Sequence, residues 1–177
     1  VLGSFALAWS IVDLISKLGN FGLDSATATQ VARREAMGDH DGSRRILSAA
    51  LRWGLLCSVV TAGVGTLGLR WWQAQAHLTD DVASSARLLL LALPGIMLYR
   101  VATGFSRGMQ VMRHDLFSRG LTESLVTIIV LVVAHAFGLT MLAPVIAVVV
   151  GTLAGGLVAW HLARGLVAGA PPPPSSE

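Results

Sequence analysis

Apolar runs of membrane length recur along the chain and set its organisation. Five such runs are predicted, at residues 3–23, 49–69, 88–106, 120–138 and 144–163. The hydrocarbon core of a bilayer is about 30 Å thick, so a helix needs roughly 20 residues to cross it. The runs are continuous rather than alternating, and a helix satisfies its own backbone hydrogen bonds in lipid. The pattern therefore predicts an all-α polytopic membrane helical bundle with about five transmembrane helices.

The polar segments between the runs predict how the bundle is punctuated. The bundle is predicted over residues 1–165, and the tail at 166–177, with its four consecutive prolines, is predicted to be disordered. Pro94-Gly95 lies inside the third run and should kink it. Between the first two runs, Ala26–Ala36 and Ser43–Trp53 are expected to be helix beyond the membrane face, joined by a turn at 39–42.

Composition and charge support this class. The chain of 177 residues is 54% hydrophobic and 13% charged, whereas soluble domains contain about 25% charged residues. Nine arginines fall on one side of the predicted spans, so the positive-inside rule places that side and the C-terminus in the cytoplasm. The arginines sit at span ends rather than along one stripe, which gives no indication of nucleic-acid binding.

Charged residues inside the spans are the candidate functional groups, because a charge in the bilayer core is costly and rarely idle. Asp13 and Lys17 lie one helical turn apart in the favourable order for an ion pair. They either neutralise each other inside the bundle, lie at the membrane interface, or line a water-filled cavity, where Lys17 could meet a pyrophosphate and Asp13 could carry a coupling proton. Arg100 either snorkels to the head groups or faces the same cavity.

A basic rim is predicted at the cytoplasmic face of the bundle. Its members are Arg33, Arg34, Arg44, Arg45, Arg107, Arg113 and Arg119. The rim either only determines topology or also attracts anionic head groups, including a lipid-linked pyrophosphate.

Other motifs predict no catalytic residue and no metal site. Gly104–Gly108 matches G-x-S-x-G, but a membrane helix rather than a strand precedes it. The same glycines, like Gly151 and Gly155, are better explained by close helix packing. Glu123 is expected at the membrane interface, and His135 is expected to be a packing residue.

Two motifs carry a family resemblance. The first run and its exit share these residues with the family: Gly3, Phe5, Ala8, Ser10, Ile11, Leu14, Leu18, Phe21, Gly22, Leu23, Ala26, Val31, Ala32 and Arg33. A weaker match follows the third run, at Gly104, Gly108, Met109, Gln110 and Arg113. The chain thereby resembles the polysaccharide (O-antigen) biosynthesis flippase family of the MOP/MATE-like transporter superfamily. It departs from the family at Thr29, where many members have an arginine.

The resemblance implies a function and a set of partners. The five runs would correspond to helices two to six of the family, so the chain would be most of one lobe of a two-lobe transporter. Such a protein moves undecaprenyl-pyrophosphate-linked oligosaccharide across the bacterial cytoplasmic membrane and needs no cofactor beyond a coupling ion, H⁺ or Na⁺. The expected partners are that substrate, membrane lipids, and a second lobe or polysaccharide assembly proteins.

Two alternatives to this function stay open. One is a sibling exporter of the superfamily, either a drug/cation antiporter or a lipid II flippase. A drug exporter should favour buried acids, whereas the predicted spans contain the bases Lys17 and Arg100 beside the acid Asp13. The other alternative is a truncated membrane subunit that does not transport.

Overall fold

Helices make up every regular element of the protein that the structure describes. The computed structural model describes residues 2–20, 22–76, 80–138 and 142–168. The elements are α1 (Leu2–Asn20), α2 (Leu23–Ala36), α3 (His40–Ala76), α4 (Asp80–Leu90), α5 (Leu93–Gly108), α6 (Arg113–Asp115), a π-helix (Leu116–Glu123), α7 (Ser124–Ala136) and α8 (Ala143–Ala168). The predicted all-α class is confirmed. The predicted Pro-rich tail falls outside the described residues from position 169 onward.

Three helices among the described residues are long and apolar enough to cross a membrane. They are His40–Trp71, Arg113–Ala136 and Ala143–Val167. A fourth crossing arises if Val82–Leu90 and Leu93–Gly108 form one broken span. The protein is thus a helical membrane bundle, and the predicted number of five crossings stays a prediction.

The break between α4 and α5 lies where the sequence predicts a kink. The two helices meet at an angle of 41° across Leu91 and Ala92. Pro94 occupies the first turn of α5, where its missing N–H leaves no hydrogen bond unmade. The predicted kink is confirmed, and the proline serves to start the second segment.

Helix α5 lies at the centre of the bundle and contacts α2, α3 and α8. It joins two apolar cores that are stacked along the bundle. The first core consists of Ala8, Val12, Leu69, Val82, Ala86, Leu89, Leu90, Leu93 and Val145. The second core consists of Val31, Leu47, Val101, Ala102, Phe105, Ala159 and Ala163. We call the end of the bundle near the second core the Arg-rich end, because Arg44, Arg45, Arg107 and Arg164 lie there.

Glycines allow α5 to approach its neighbours at backbone distance. A Cβ atom added to Gly104 would lie 2.6 Å from the carbonyl oxygen of Asp24 on α2. One added to Gly156 of α8 would lie 2.6 Å from the carbonyl oxygen of Gly95. Since lipid gives helices no hydrophobic drive to associate, close van der Waals packing of this kind holds a membrane bundle together. The predicted packing role of the glycine pair in α5 is confirmed.

A tight corner joins α2 to α3. Gly38 adopts a left-handed conformation with φ of 71°, which ends α2. Asp39 then caps α3: its Oδ1 accepts from the Gly42 N–H at 2.8 Å, and its Oδ2 accepts from Arg34 at 2.5 Å. The predicted turn at 39–42 is therefore displaced toward 37–39, because the Asp39 cap lets helix begin at His40.

We expect Gly104→Ala to destabilise the bundle by about 1–3 kcal/mol, because the new methyl group must displace the backbone of α2. Gly68→Ala is the matched control, since a Cβ atom there meets no heavy atom within 4 Å. Thermal unfolding of the purified variants in detergent measures both effects. Equal stability of the two variants would contradict the close α2–α5 contact.

The corner should also respond to acid. The Gly42 N–H and then the Arg34 guanidinium hold the pKa of Asp39 below its usual range. The carboxylate therefore stabilises the corner at neutral pH, and this contribution is lost as the pH falls below about 4 toward the lowered pKa. Hydrogen-exchange protection at the start of α3 should drop over that range. Asp39→Asn keeps a capping side chain without a charge, so its protection should not change over this pH range. A decrease of the same size in the wild type and in Asp39→Asn would refute the role of the Asp39 charge.

Candidate functional site

A small polar cavity separates the two apolar cores, and we call it the central cavity. It has a volume of about 90 Å³. Side chains from α1, α5, the π-helix and α8 line it: Trp9, Asp13, Ser16, Ile96, Tyr99, Arg100, Glu123 and Thr152. Three of these side chains are formally charged, which is unusual for the interior of a membrane bundle.

The acid and the base predicted on α1 form the expected ion pair. Lys17 Nζ lies 2.6 Å from Asp13 Oδ2. Asp13 lines the central cavity, whereas Lys17 is 63% exposed and is not among the lining residues. Lys17 is therefore linked to the cavity only through its ion pair with Asp13.

Arg100 lies on α5 and brings a guanidinium to the cavity wall. Its side chain is half-buried and lines the cavity. No ion pair found among the described residues includes it. Of the three predicted cavity residues, the structure thus brings Asp13 and Arg100 to one cavity and leaves Lys17 at its edge.

Tyr99 connects the central cavity to the Arg-rich end. It lines the cavity, and its hydroxyl donates to Asp115 Oδ1 at 2.7 Å. The other oxygen of Asp115 accepts from Arg107 at 3.1 Å. A continuous polar path therefore runs from the cavity wall to an arginine of the predicted rim.

Glu123 is the lining residue that the sequence did not assign to a cavity. Its predicted position at the membrane interface stays a prediction, and the helix that carries it begins at Arg113. Glu123 thus lies roughly 10–15 Å inside the helix. It ends an eight-residue π-helix, a rare conformation that is frequent at functional sites.

The glycines of α8 explain how Glu123 fits. A Cβ atom on Gly155 would lie 3.2 Å from the Glu123 Cβ atom, and one on Gly151 would lie 3.1 Å from the Glu123 carbonyl oxygen. The second predicted glycine pair is therefore a packing site, as expected. From the sequence, these two glycines could have predicted that the preceding helix packs closely against α8.

The central cavity has the size of an ion or water site. A volume of about 90 Å³ holds a few water molecules and cannot enclose an oligosaccharide. Two carboxylates and a guanidinium that line one confined space are positioned to interact with any ion that enters. The arrangement suits charge compensation or proton exchange rather than sugar recognition.

The predicted basic rim divides into paired and unpaired arginines. Arg34 pairs with Asp39 and Arg107 pairs with Asp115. Arg44 and Arg45 line a groove on the outer surface of the bundle. The side chains of Arg33 and Arg113 are exposed, and that of Arg119 lies outside the described residues.

Ser106 of the G-x-S-x-G match has a histidine partner that the sequence did not suggest. Its Oγ atom lies 3.2 Å from His114 Nδ1 and also donates to the Ala102 carbonyl oxygen at 3.1 Å. Ser106 is 1% exposed, and it sits within a helix rather than at a strand-to-helix turn. The pair ties α5 to α6 and presents no hydroxyl to a substrate.

The predicted packing role of His135 is wrong, since its side chain is exposed. Helix α7 turns its apolar face outward there, where Val132, Val133 and Phe137 are also exposed.

We expect a double-mutant cycle on Asp13 and Lys17 to give a coupling free energy on the order of 1 kcal/mol. Lys17→Met alone should destabilise more than Lys17→Met with Asp13→Asn, because the single change leaves a carboxylate charged without its partner. The cycle of Arg34→Met with Asp39→Asn, whose side chains are no more exposed than those of Lys17 and Asp13, is the reference pair and should give a coupling of the same order. Denaturant unfolding in detergent provides the four free energies of each cycle, and a coupling near zero on α1 would mean that the pair is fully solvated.

Comparison with known proteins agrees with the architecture. No curated protein and no solved structure matches the chain. The family model described as "Polysaccharide biosynthesis protein" matches residues 1–171. Members of this family are generally transporters or flippases. The match covers nearly the whole sequence, and the chain therefore belongs to the polysaccharide biosynthesis protein family.

Proposed function

We propose that this protein is a flippase that moves undecaprenyl-pyrophosphate-linked oligosaccharide across the bacterial cytoplasmic membrane. The observation that carries the proposal is the convergence of Asp13, Arg100 and Glu123 on one cavity in the interior of a polysaccharide biosynthesis family bundle. Charges are retained inside a membrane bundle where they serve an ion or substrate pathway. The protein acts as a transporter and carries out no covalent chemistry on its substrate.

Exchange of partners by Asp13 provides the coupling step. While Asp13 is ionised, its carboxylate forms an ion pair with Lys17 and balances the positive charge of the ammonium group. When Asp13 takes up H⁺ or binds Na⁺, the ammonium group is released and becomes available to the pyrophosphate. Arg100 adds a second positive group with a planar fork suited to phosphate oxygens.

The broken span supplies the moving part of this mechanism. Helix α5 carries Arg100 and begins at the 41° break with α4. Discontinuous helices near the bilayer midplane are the elements that rearrange in many transporters. The oligosaccharide passes over the surface of the lobe, toward a second lobe, while its lipid tail stays in the bilayer.

The orientation follows from the arginines. The Arg-rich end faces the cytoplasm, and so does the C-terminus, because cytoplasmic segments carry the excess of Lys and Arg. The substrate is loaded at that face, where the basic rim attracts its pyrophosphate. Polysaccharide assembly proteins are the expected partners there.

A cation or drug antiporter of the same superfamily is the second candidate. The observation in its favour is that Glu123 joins Asp13 on the cavity wall, so that carboxylates outnumber the guanidinium of Arg100 there. A surplus of acids suits a cationic substrate. The lipid II flippase and the non-transporting subunit have no separate observation in their favour.

We expect Arg100→Ala and Lys17→Ala to lower the flipping rate about tenfold or more, since each removes a charge-assisted contact with the phosphate. The measurement is transfer of undecaprenyl-pyrophosphate-linked oligosaccharide between leaflets of proteoliposomes that contain the full-length protein. Arg70→Ala, at an exposed position on α3, is the control and should keep the wild-type rate. Unchanged flipping in both Arg100→Ala and Lys17→Ala would refute the role of these residues.

The same vesicles separate the two candidates. A flippase driven through Asp13 should lose its response to an imposed H⁺ or Na⁺ gradient in Asp13→Asn. An antiporter should instead export a cationic dye and lose that export in Asp13→Asn and Glu123→Gln. If the wild type exports the dye but does not transfer the oligosaccharide, the flippase proposal is refuted and the antiporter is supported.

A further inference from the structure

A groove whose positive charges have no ion-pair partner among the described residues opens on the outer surface of the bundle at its Arg-rich end. It lies between the beginning of α3 and the end of α8 and has a volume of about 490 Å³. We call it the α3–α8 groove. Its polar wall consists of Arg44, Arg45, Ser48, Arg52 and Arg164.

The arginines of this groove differ from the other basic residues of the same end. Arg34 and Arg107 have carboxylate partners. None of the ion pairs between described residues includes any of the groove arginines. The charge of Arg45 helps to lower the pKa of Asp39, but that carboxylate forms its ion pair with Arg34. The four groove arginines share one concave surface and repel each other, so an anion bound among them relieves that repulsion.

An aromatic residue fixes one of these guanidinium groups. The Arg164 Cζ atom lies 4.2 Å from the centroid of the Trp160 ring, a cation–π contact. Trp160 is half-buried and lines the groove. Tryptophan is enriched at the level of lipid head groups, where its apolar ring and polar N–H both find suitable surroundings.

The surface below the groove is apolar and belongs to two candidate membrane spans. Leu47, Leu51 and Val167 form the inner side of the groove. Farther along the two helices, Leu56 is 56% exposed, Val60 is 55% exposed and Leu157 is 54% exposed. The basic groove thus continues directly into a surface suited to acyl chains.

We propose that the α3–α8 groove is a binding site for an anionic phospholipid. The arginines hold the phosphate of the head group, Trp160 packs beside its glycerol region, and the acyl chains extend along the exposed apolar faces of α3 and α8. A free phosphate would use the arginines alone and would gain nothing from the adjoining apolar surface. The site lies on the outside of the bundle, apart from the central cavity. It shares Arg44 and Arg45 with the basic rim, but binding of a phospholipid there does not require flippase activity.

Native mass spectrometry of the detergent-solubilised full-length protein tests this site. We expect the wild type to bind phosphatidylglycerol at least about tenfold more tightly than phosphatidylcholine, because each basic group near an anionic lipid contributes about a factor of five. Arg45→Gln with Arg164→Gln should lose most of this preference and bind the two lipids within about threefold of each other. Both residues are exposed, so the double variant should unfold at the wild-type temperature.

Arg33→Gln with Arg113→Gln is the matched control, since it removes as many exposed arginines from the same end but outside the groove. The control should keep the lipid preference. The proposal is overturned if the control loses as much preference as the groove variant, which would indicate only a diffuse charge effect. It is also overturned if the wild type shows no preference between the two lipids, which is the result expected when another part of the protein covers the groove. Displacement of the lipid by millimolar inorganic phosphate would overturn it as well.

Discussion

Backbone contact between helices is the interaction on which the rest of this bundle depends. Helix α5 meets the carbonyl of Asp24 through Gly104 and meets α8 where Gly95 faces Gly156. In a bilayer, apolar side chains gain little by leaving lipid for protein, so helices associate where small residues let their backbones approach. The glycines decide which helices are neighbours, and thereby which polar residues face each other between them.

The position of the polar groups follows from that packing. The two apolar cores occupy opposite ends of the bundle, and the central cavity lies between them with Asp13, Arg100 and Glu123 in its wall. Tyr99 and Asp115 extend this polar layer to Arg107. The cavity wall is therefore connected through contacts to the Arg-rich end.

Local sequence signals predicted what depends on a few neighbouring residues. The four-residue spacing of Asp13 and Lys17 was sufficient for their ion pair, and Pro94 was sufficient for the break in the third apolar run, because both effects act within one helical turn. The place of Glu123 in the cavity wall was not foreseen, and the packing of His135 was misjudged, for the opposite reason. The depth of Glu123 depends on a helix that begins at Arg113 and on a π-helix, and the exposure of His135 depends on α7 having only one covered face.

By itself the sequence determined the class of the protein, the charged pair in its first helix and its family, because hydropathy, spacing and motifs are properties of the chain alone. Only the tertiary structure decided that Glu123 joins Asp13 and Arg100, that Lys17 stays at the edge of their cavity, and that Arg44, Arg45, Arg52 and Arg164 share a groove. These residues are distant in sequence. Their proximity is set by which glycines meet which backbones, and that choice is made only when the helices pack.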